Sequence, residues 1–238
     1  RNALQGDLGT SYTYIGKPVT ELLAEAIPVT VKWETLGLLL SILAAVPLGV
    51  IAALKQNSWI DNLTMLFALM GVSLPSFALA TFLIVGISLR LGWLPVAGLG
   101  TPKHYILPAL TLAAGPTALL ARMIRSSMLE TLRQDYVVTA RAKGLAEYTV
   151  IVTHALRNAL LPAVTIIGII VGRIFSGAFL IETIYNIPGL GRVGVTAVLQ
   201  RDYPVILGTT LLLSVAFLLV TLLTDIVYGY LDPRIRSE

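Results

Sequence analysis

The chain has no cysteine and only two histidines among its 238 residues. The first absence excludes disulfides, a thiolate nucleophile, Cys-ligated zinc and iron–sulfur clusters. The histidines, His104 and His154, have no second His or carboxylate at metal-ligand spacing. No GxxxxGK[ST] phosphate loop, HExxH or GxSxG run occurs, so nothing marks a nucleotide hydrolase, a metallopeptidase or a serine hydrolase. Charge is also scarce. Asp, Glu, Lys and Arg make up 13% of the chain, about half the soluble-protein norm of roughly 25%. Hydrophobic residues make up 56%, and mean hydropathy is +0.83. A disordered tail needs the opposite balance. The net charge of +4 is read as basic loops beside a membrane, with no nucleic-acid partner expected.

The positions without charge carry the argument. Thr35–Leu54, Asn62–Leu89, His104–Ala121 and Tyr203–Thr224 contain no Asp, Glu, Lys or Arg, and Asn158–Ile181 contains only Arg173. A bilayer-spanning helix needs about 20 apolar residues, and each uncompensated central charge costs about 2.5–3.5 kcal/mol on insertion scales. Buried helices of a soluble protein keep polar faces, which these runs lack. The runs are also too long for barrel strands and do not alternate. The expectation is an all-α, polytopic membrane protein with five spans. Pro47, Pro75 and Pro116 lie in or near them, as neighbouring helices permit in a bilayer. Ala45, Gly49 and Ala53, and again Gly168, Gly172 and Ser176, repeat small residues every fourth position, a spacing that allows close helix approach.

Orientation follows Lys and Arg. Residues 122–160 hold Arg122, Arg125, Arg133, Arg141, Lys143 and Arg157. That segment is expected to be cytoplasmic, together with the C-terminal tail 232–238, which places 1–32 outside the membrane and 33–231 as the transmembrane domain. An outside start without a signal peptide suggests that a further span precedes Arg1. Within 122–160, Met128, Leu132, Tyr136 and Ala140 fall at helical spacing, Gly144 interrupts, and Leu145, Tyr148, Ile151, Val152 and Ala155 form a second apolar stripe. The expected form is an amphipathic cytoplasmic helix. It rests on lipid headgroups or docks a soluble partner; spacing does not separate the two.

The run DYVVTARAKGL…HALRNALLP resembles the cytoplasmic loop of ABC-importer permeases, most closely the dipeptide/oligopeptide/nickel group. GDLGTSY (Gly6–Tyr12), Lys17-Pro18-Val19, Ser73-Leu74-Pro75, Trp93-Leu94-Pro95 and Arg125–Glu130 agree in order. Pro188-Gly189-Leu190-Gly191-Arg192, Arg201-Asp202-Tyr203-Pro204 and Asp232–Arg236 follow. The general importer motif has Glu-Ala-Ala before the glycine; here Val138, Thr139 and Ala140 stand there, as is usual in the peptide/nickel group.

The resemblance implies an ABC type I importer fold with six spans in the intact protein. It implies a non-catalytic subunit without a cofactor, forming half of a translocation pathway beside a paralogous permease. Two ATP-binding subunits would bind and hydrolyse ATP, and an extracytoplasmic solute-binding protein would deliver a di- or oligopeptide or related solute, all at a prokaryotic inner membrane with the C-terminus inside. Residues 141–156 are then expected to form the coupling helix. Ala140, Arg141, Lys143, Gly144, Leu145, His154 and Arg157 make up the ATPase-coupling set; Gly144 turns the chain, Leu145 anchors, and Arg141, Lys143 and Arg157 meet the partner. Arg173, Ser73 and Pro75 are candidates for the substrate path, with Glu182 a possible partner of Arg173. Asp225 is expected at the inner interface. Gly189, Gly191 and Gly194 spell GxGxxG, but no βαβ context is expected around them, so a dinucleotide site is rejected. An ion-coupled carrier would need intramembrane carboxylates. A membrane scaffold would need no ATPase; both remain as alternatives.

Overall fold

The computed structural model describes residues 6–172 and 179–231. Arg173 and Ser176 lie outside the described residues, as do the tail from Asp232 and the side chain of Asp225. The described residues are overwhelmingly helical and contain no strand, only an isolated antiparallel bridge between Thr10 and Pro18. Among the described residues three helices are long and apolar enough to cross a membrane, or up to five if each of two broken pairs counts as one span.

Helix α1 runs Val19–Leu54 without interruption, through Pro28 and Pro47. Its 36 residues reach about 54 Å at 1.5 Å per residue, well beyond a hydrocarbon core of about 30 Å. The expected boundary at residue 32 therefore falls inside a helix. Glu21, Glu25 and Lys32 sit on the part that continues past the charge-free run.

Helix α2 (Trp59–Ser73) begins at the N-cap Ser58, whose hydroxyl accepts the Asp61 N–H, and stops where Leu74 turns extended. Leu74 precedes Pro75, and the pyrrolidine ring disfavours a helical residue before it. Helix α3 (Ser76–Leu83) then restarts and passes into a π-helical stretch, Ile84–Arg90. The second expected span is thus two helices. Helix α4 (Ile106–Thr131) continues through Pro116 and extends ten residues beyond the charge-free run. After it come α5 (Asp135–Ala142), α6 (Glu147–Thr149), a π-helical stretch Val150–Leu156, α7 (Arg157–Ala159) and α8 (Leu161–Gly172). Helices α9 (Phe179–Ile184), α10 (Leu190–Gln200) and α11 (Tyr203–Leu231) complete the chain.

Two compact units divide these elements. One comprises Leu38–Pro75 and Ala113–Ile170. Its core joins Ala45 and Ala53 of α1 to Leu120, Ala121, Ile124 and Met128 of α4, and continues through Val137, Ala140, Val150 and Ala155. The first small-residue triplet forms the α1–α4 seam. A Cβ on Gly49 would lie 2.7 Å from the Ala121 carbonyl oxygen and 2.8 Å from Ile124 Cβ, so the backbones meet only because that side chain is missing. The second triplet runs into residues outside the description.

The other unit comprises Arg1–Gly37, Ser76–Leu112 and Val171–Glu238. It has two cores. Val19, Leu22, Leu23 and Ala26 of α1 pack on Leu190 and Ala197 of α10 and on Val205 of α11. Trp33, Ala80, Leu107, Ile181, Tyr185 and Ile187 form the second. Trp33 stacks on Tyr105 at 4.3 Å between centroids, and the Thr111 and Tyr185 hydroxyls meet at 3.0 Å. Along α11, Leu207, Leu211, Leu218, Leu222 and Leu223 stand exposed, the pattern of a span whose solvent is lipid.

Candidate functional site: a basic turn on a rigid apolar platform

The charged segment is two helices joined by a fixed turn. Helix α5 ends in a left-handed glycine, Gly144, at φ +76°. The Gly144 N–H donates to the Arg141 carbonyl at 2.9 Å and the Leu145 N–H donates to the Ala140 carbonyl at 3.4 Å. These are the two bonds of a Schellman cap, which satisfy carbonyls that a helix end leaves free. The expected single coupling helix over 141–156 is therefore corrected. Arg141 and Ala142 close α5, Lys143–Ala146 form the turn, and Glu147 opens the next helical run. Among the described residues nothing lies within 4 Å of the space a Gly144 Cβ would fill, so within this chain the glycine serves backbone conformation.

An ion pair braces this turn. Arg141 donates from Nη2 to Glu147 Oε1 at 2.8 Å and from Nε to Glu147 Oε2 at 3.2 Å. Arg141 is thus engaged within the chain. Asn158 donates to the Tyr136 hydroxyl at 2.8 Å, tying the following helix back to α5. Ala140 is buried in the core with Val137 and Val150; it supports the surface without forming it. Three apolar side chains face outward among exposed polar ones: Leu145 at 42%, Val138 at 54% and Tyr148 at 76% exposure. Lys143 stands exposed beside them. His154 lies in the π-helical stretch, where its carbonyl accepts from Asn158, and Arg157 opens α7. The arrangement offers a short, partly apolar knob that also carries positive charge.

Ser73 and Pro75 lie exposed at the α2–α3 break. A role for Arg173 concerns a residue outside the description.

Two carboxylate clusters escaped the sequence reading as sites. Asp202, 1% exposed, accepts the Ser11 hydroxyl, the Thr13 N–H at 3.1 Å and the Val205 N–H at 3.4 Å. Burial pushes its carboxyl up, but the Ser11 hydroxyl and the N–H donors outweigh it and hold Asp202 below the usual carboxylate range. GDLGTSY and RDYP, 191 residues apart at Ser11 and Asp202, are thus one structure. Glu182, also 1% exposed, accepts the Thr30 hydroxyl at 2.6 Å and the Arg192 N–H at 3.0 Å. Burial pushes its carboxyl up against those donors. Gly189 and Gly191 of the rejected GxGxxG run crowd this carboxylate, and a Gly194 Cβ would sit 3.3 Å from Thr209 Cγ2. These glycines serve packing. Among the described residues no strand accompanies them.

The profile of the family described as binding-protein-dependent transport system inner membrane component matches residues 45–237. The dipeptide transport system permease protein DppB of Bacillus subtilis (strain 168) is 44% identical over 230 residues, 97% of this chain and 75% of the relative. The glutathione transport system permease protein GsiC of Shigella flexneri serotype 5b (strain 8401) is 42% identical over 237 residues, 100% of this chain and 77% of the relative. A solved inward-facing structure of the MetNI methionine ABC transporter superposes with a TM-score of 0.74 at 17% identity, covering 89% of this chain and 96% of that one. At that identity the likeness concerns the fold. The chain belongs to the binding-protein-dependent transport system inner membrane component family, within its dipeptide/oligopeptide ABC permease group.

Proposed function

We propose that this multi-pass permease subunit of an ABC importer takes up di- or oligopeptides or a related small solute. ATP is bound and hydrolysed by partner subunits, and this chain holds no cofactor of its own. It forms half of the pathway beside a paralogous permease, and an extracytoplasmic binding protein supplies the solute. The 122–160 segment and the C-terminus face the cytoplasm. The Glu182–Pro204 segment faces the binding protein, and residues 1–32 share that outer surface.

One observation carries the coupling part of this reading. The α5–Gly144–α6 turn exposes Leu145, Val138 and Tyr148 while its inner face is fused to α1 and α4 through Ala140, Val137 and Met128. A lever needs an apolar contact outside and a rigid attachment inside, since packed interfaces transmit displacement as discrete shifts. Lys143 supplies a free positive charge for acidic or carbonyl groups of the ATPase. Arg141 acts indirectly, through the ion pair that sets the turn. Coupling is tested in proteoliposomes holding the full transporter, by comparing solute uptake per ATP hydrolysed for the native chain and for Leu145→Asp. Loss of uptake with ATP turnover retained is expected; unchanged stoichiometry contradicts the assignment.

A further inference from the structure

Helix α10 begins at Leu190, and its N-cap is Gly189, a residue with no side-chain oxygen. The first turn of a helix leaves N–H groups that need acceptors, and here two distant residues supply them. Glu182 takes the Arg192 N–H at 3.0 Å, and Thr30 of α1 takes the Leu190 N–H at 2.8 Å while donating its own hydroxyl proton to Glu182 at 2.6 Å. Thr30 is thereby both donor and acceptor, and both side chains are 1% exposed. The Glu182 carboxyl group also lies at the positive end of the helix dipole.

The fit is sterically closed. A Cβ at Gly189 would overlap Glu182 Oε1, and one at Gly191 would sit 3.0 Å from Oε2 and 2.6 Å from Phe179 Cα. Gly189 has φ −100°, which any residue adopts, so the glycine reflects the carboxylate beside it. At the other end of α10, Asp202 binds the segment Ser11–Thr13 that leads into α1. Between the two clusters Val19, Leu22, Leu23 and Ala26 pack on Leu190 and Ala197. Helix α10 is held to α1 at its start and along its length, and the residue just past its end holds the segment that leads into α1.

We propose that Glu182 is a positioning residue of the transport cycle: with Thr30 it locks the first turn of α10 to α1, so that α10 and the Val19–Thr30 part of α1 move as one body when the pathway opens at that end. The pathway then opens by displacement of this block, and α10 does not hinge away from α1. The proposal rests on the permease reading, and the control below separates the two.

The chain's lack of cysteine permits paired spin labels at Ala24→Cys and Gln200→Cys, both exposed, in the complete reconstituted transporter. Distances are read nucleotide-free and with ATP trapped. The expected result is an interlabel distance constant within about 2 Å between states, while labels on other helices move. A change of about 5 Å or more overturns the proposal. Glu182→Gln keeps size but replaces one acceptor oxygen by an N–H2 donor. It is expected to broaden the distance distribution and lower uptake about tenfold while ATP turnover persists. Native distances and uptake in that variant also overturn the proposal. If Glu182→Gln does not assemble, the native pair alone decides. Failure of the native chain to co-purify with an ATP-binding subunit would instead refute the permease reading.

Discussion

Asp61 and Arg125 meet as a two-pronged ion pair, Nε to Oδ1 at 2.5 Å and Nη2 to Oδ2 at 2.6 Å. Asp61 is 1% exposed and also accepts the Asn57 N–H at 2.9 Å. The pair fastens the start of α2 to the end of α4 that leads into α5. Removing one partner of a buried pair strands the other charge. Asp61→Leu or Arg125→Leu alone is expected to destabilise by about 2–3 kcal/mol, less than for a fully enclosed pair because Arg125 keeps some solvent. The double variant should recover part of that loss. Thermal unfolding of the four proteins in detergent measures the cycle, and additive single losses would contradict a direct coupling.

Gly144 is expected to tolerate asparagine better than valine. Its backbone is left-handed, at φ +76°, a region that costs an L-residue about 1–2 kcal/mol, more for β-branched side chains and less for Asn. Because no described residue of this chain lies within 4 Å of its Cβ position, a loss in Gly144→Val that Gly144→Asn does not share comes from turn geometry. The readout is uptake per ATP hydrolysed in proteoliposomes. Gly144→Val should insert and assemble but uncouple, and Gly144→Asn should stay near native. Equal coupling in both would separate the turn from function.

Acid should release the Ser11–Thr13 segment. Asp202 is held below its ordinary value, so its contribution to stability is complete above the unfolded value of about 4 and is lost as pH falls through the lower, folded value. Protection of the Thr13 and Tyr14 amides, relative to their intrinsic exchange rates, should be high at neutral pH and fall below about pH 4. In Asp202→Asn it should be low throughout with no such step. Protection in the native chain that does not change with acidification contradicts the clasp.

The α1–α4 seam should reject even one methyl. In Gly49→Ala the new Cβ faces the Ala121 carbonyl oxygen at 2.7 Å, a backbone atom that cannot rotate away, and overpacking of this kind costs about 1–3 kcal/mol. Gly86→Ala is the control, because nothing lies within 4 Å of its Cβ position. A lower melting temperature for the first and none for the second is expected. Matched values would mean that the seam is loose.

What could be read from the residues was set by range. Charge-free runs reported helices because lipid constrains every residue of a span alike. Gly144 reported its turn because a left-handed cap is a local requirement. The break before Pro75 was present as a signal, yet hydropathy, which averages over a window, passed through it. The turn at Gly144 was legible, but the extent of the coupling helix over 141–156 came from the resemblance, which does not place a helix end at Ala142 and a new start at Glu147. Ala140 entered the coupling set through the resemblance, whereas α5 buries it in one core with Met128 and Val150. Glu182 and Thr30 are 152 residues apart, and nothing local in either announces the other. The close glycines at 189 and 191 were the available sign, once a phosphate-binding role was set aside.

The central claim is that the Gly144 turn is the contact through which a partner ATPase drives this chain. A single Leu145→Cys substitution in the otherwise cysteine-free chain tests it directly, by crosslinking in membranes that contain the complete transporter. The account predicts a covalent product with the ATP-binding subunit whose yield changes when ATP is trapped, and no labelling of the introduced thiol by an impermeant reagent added outside intact cells. Efficient labelling from outside, with no crosslink to the ATP-binding subunit, would contradict it.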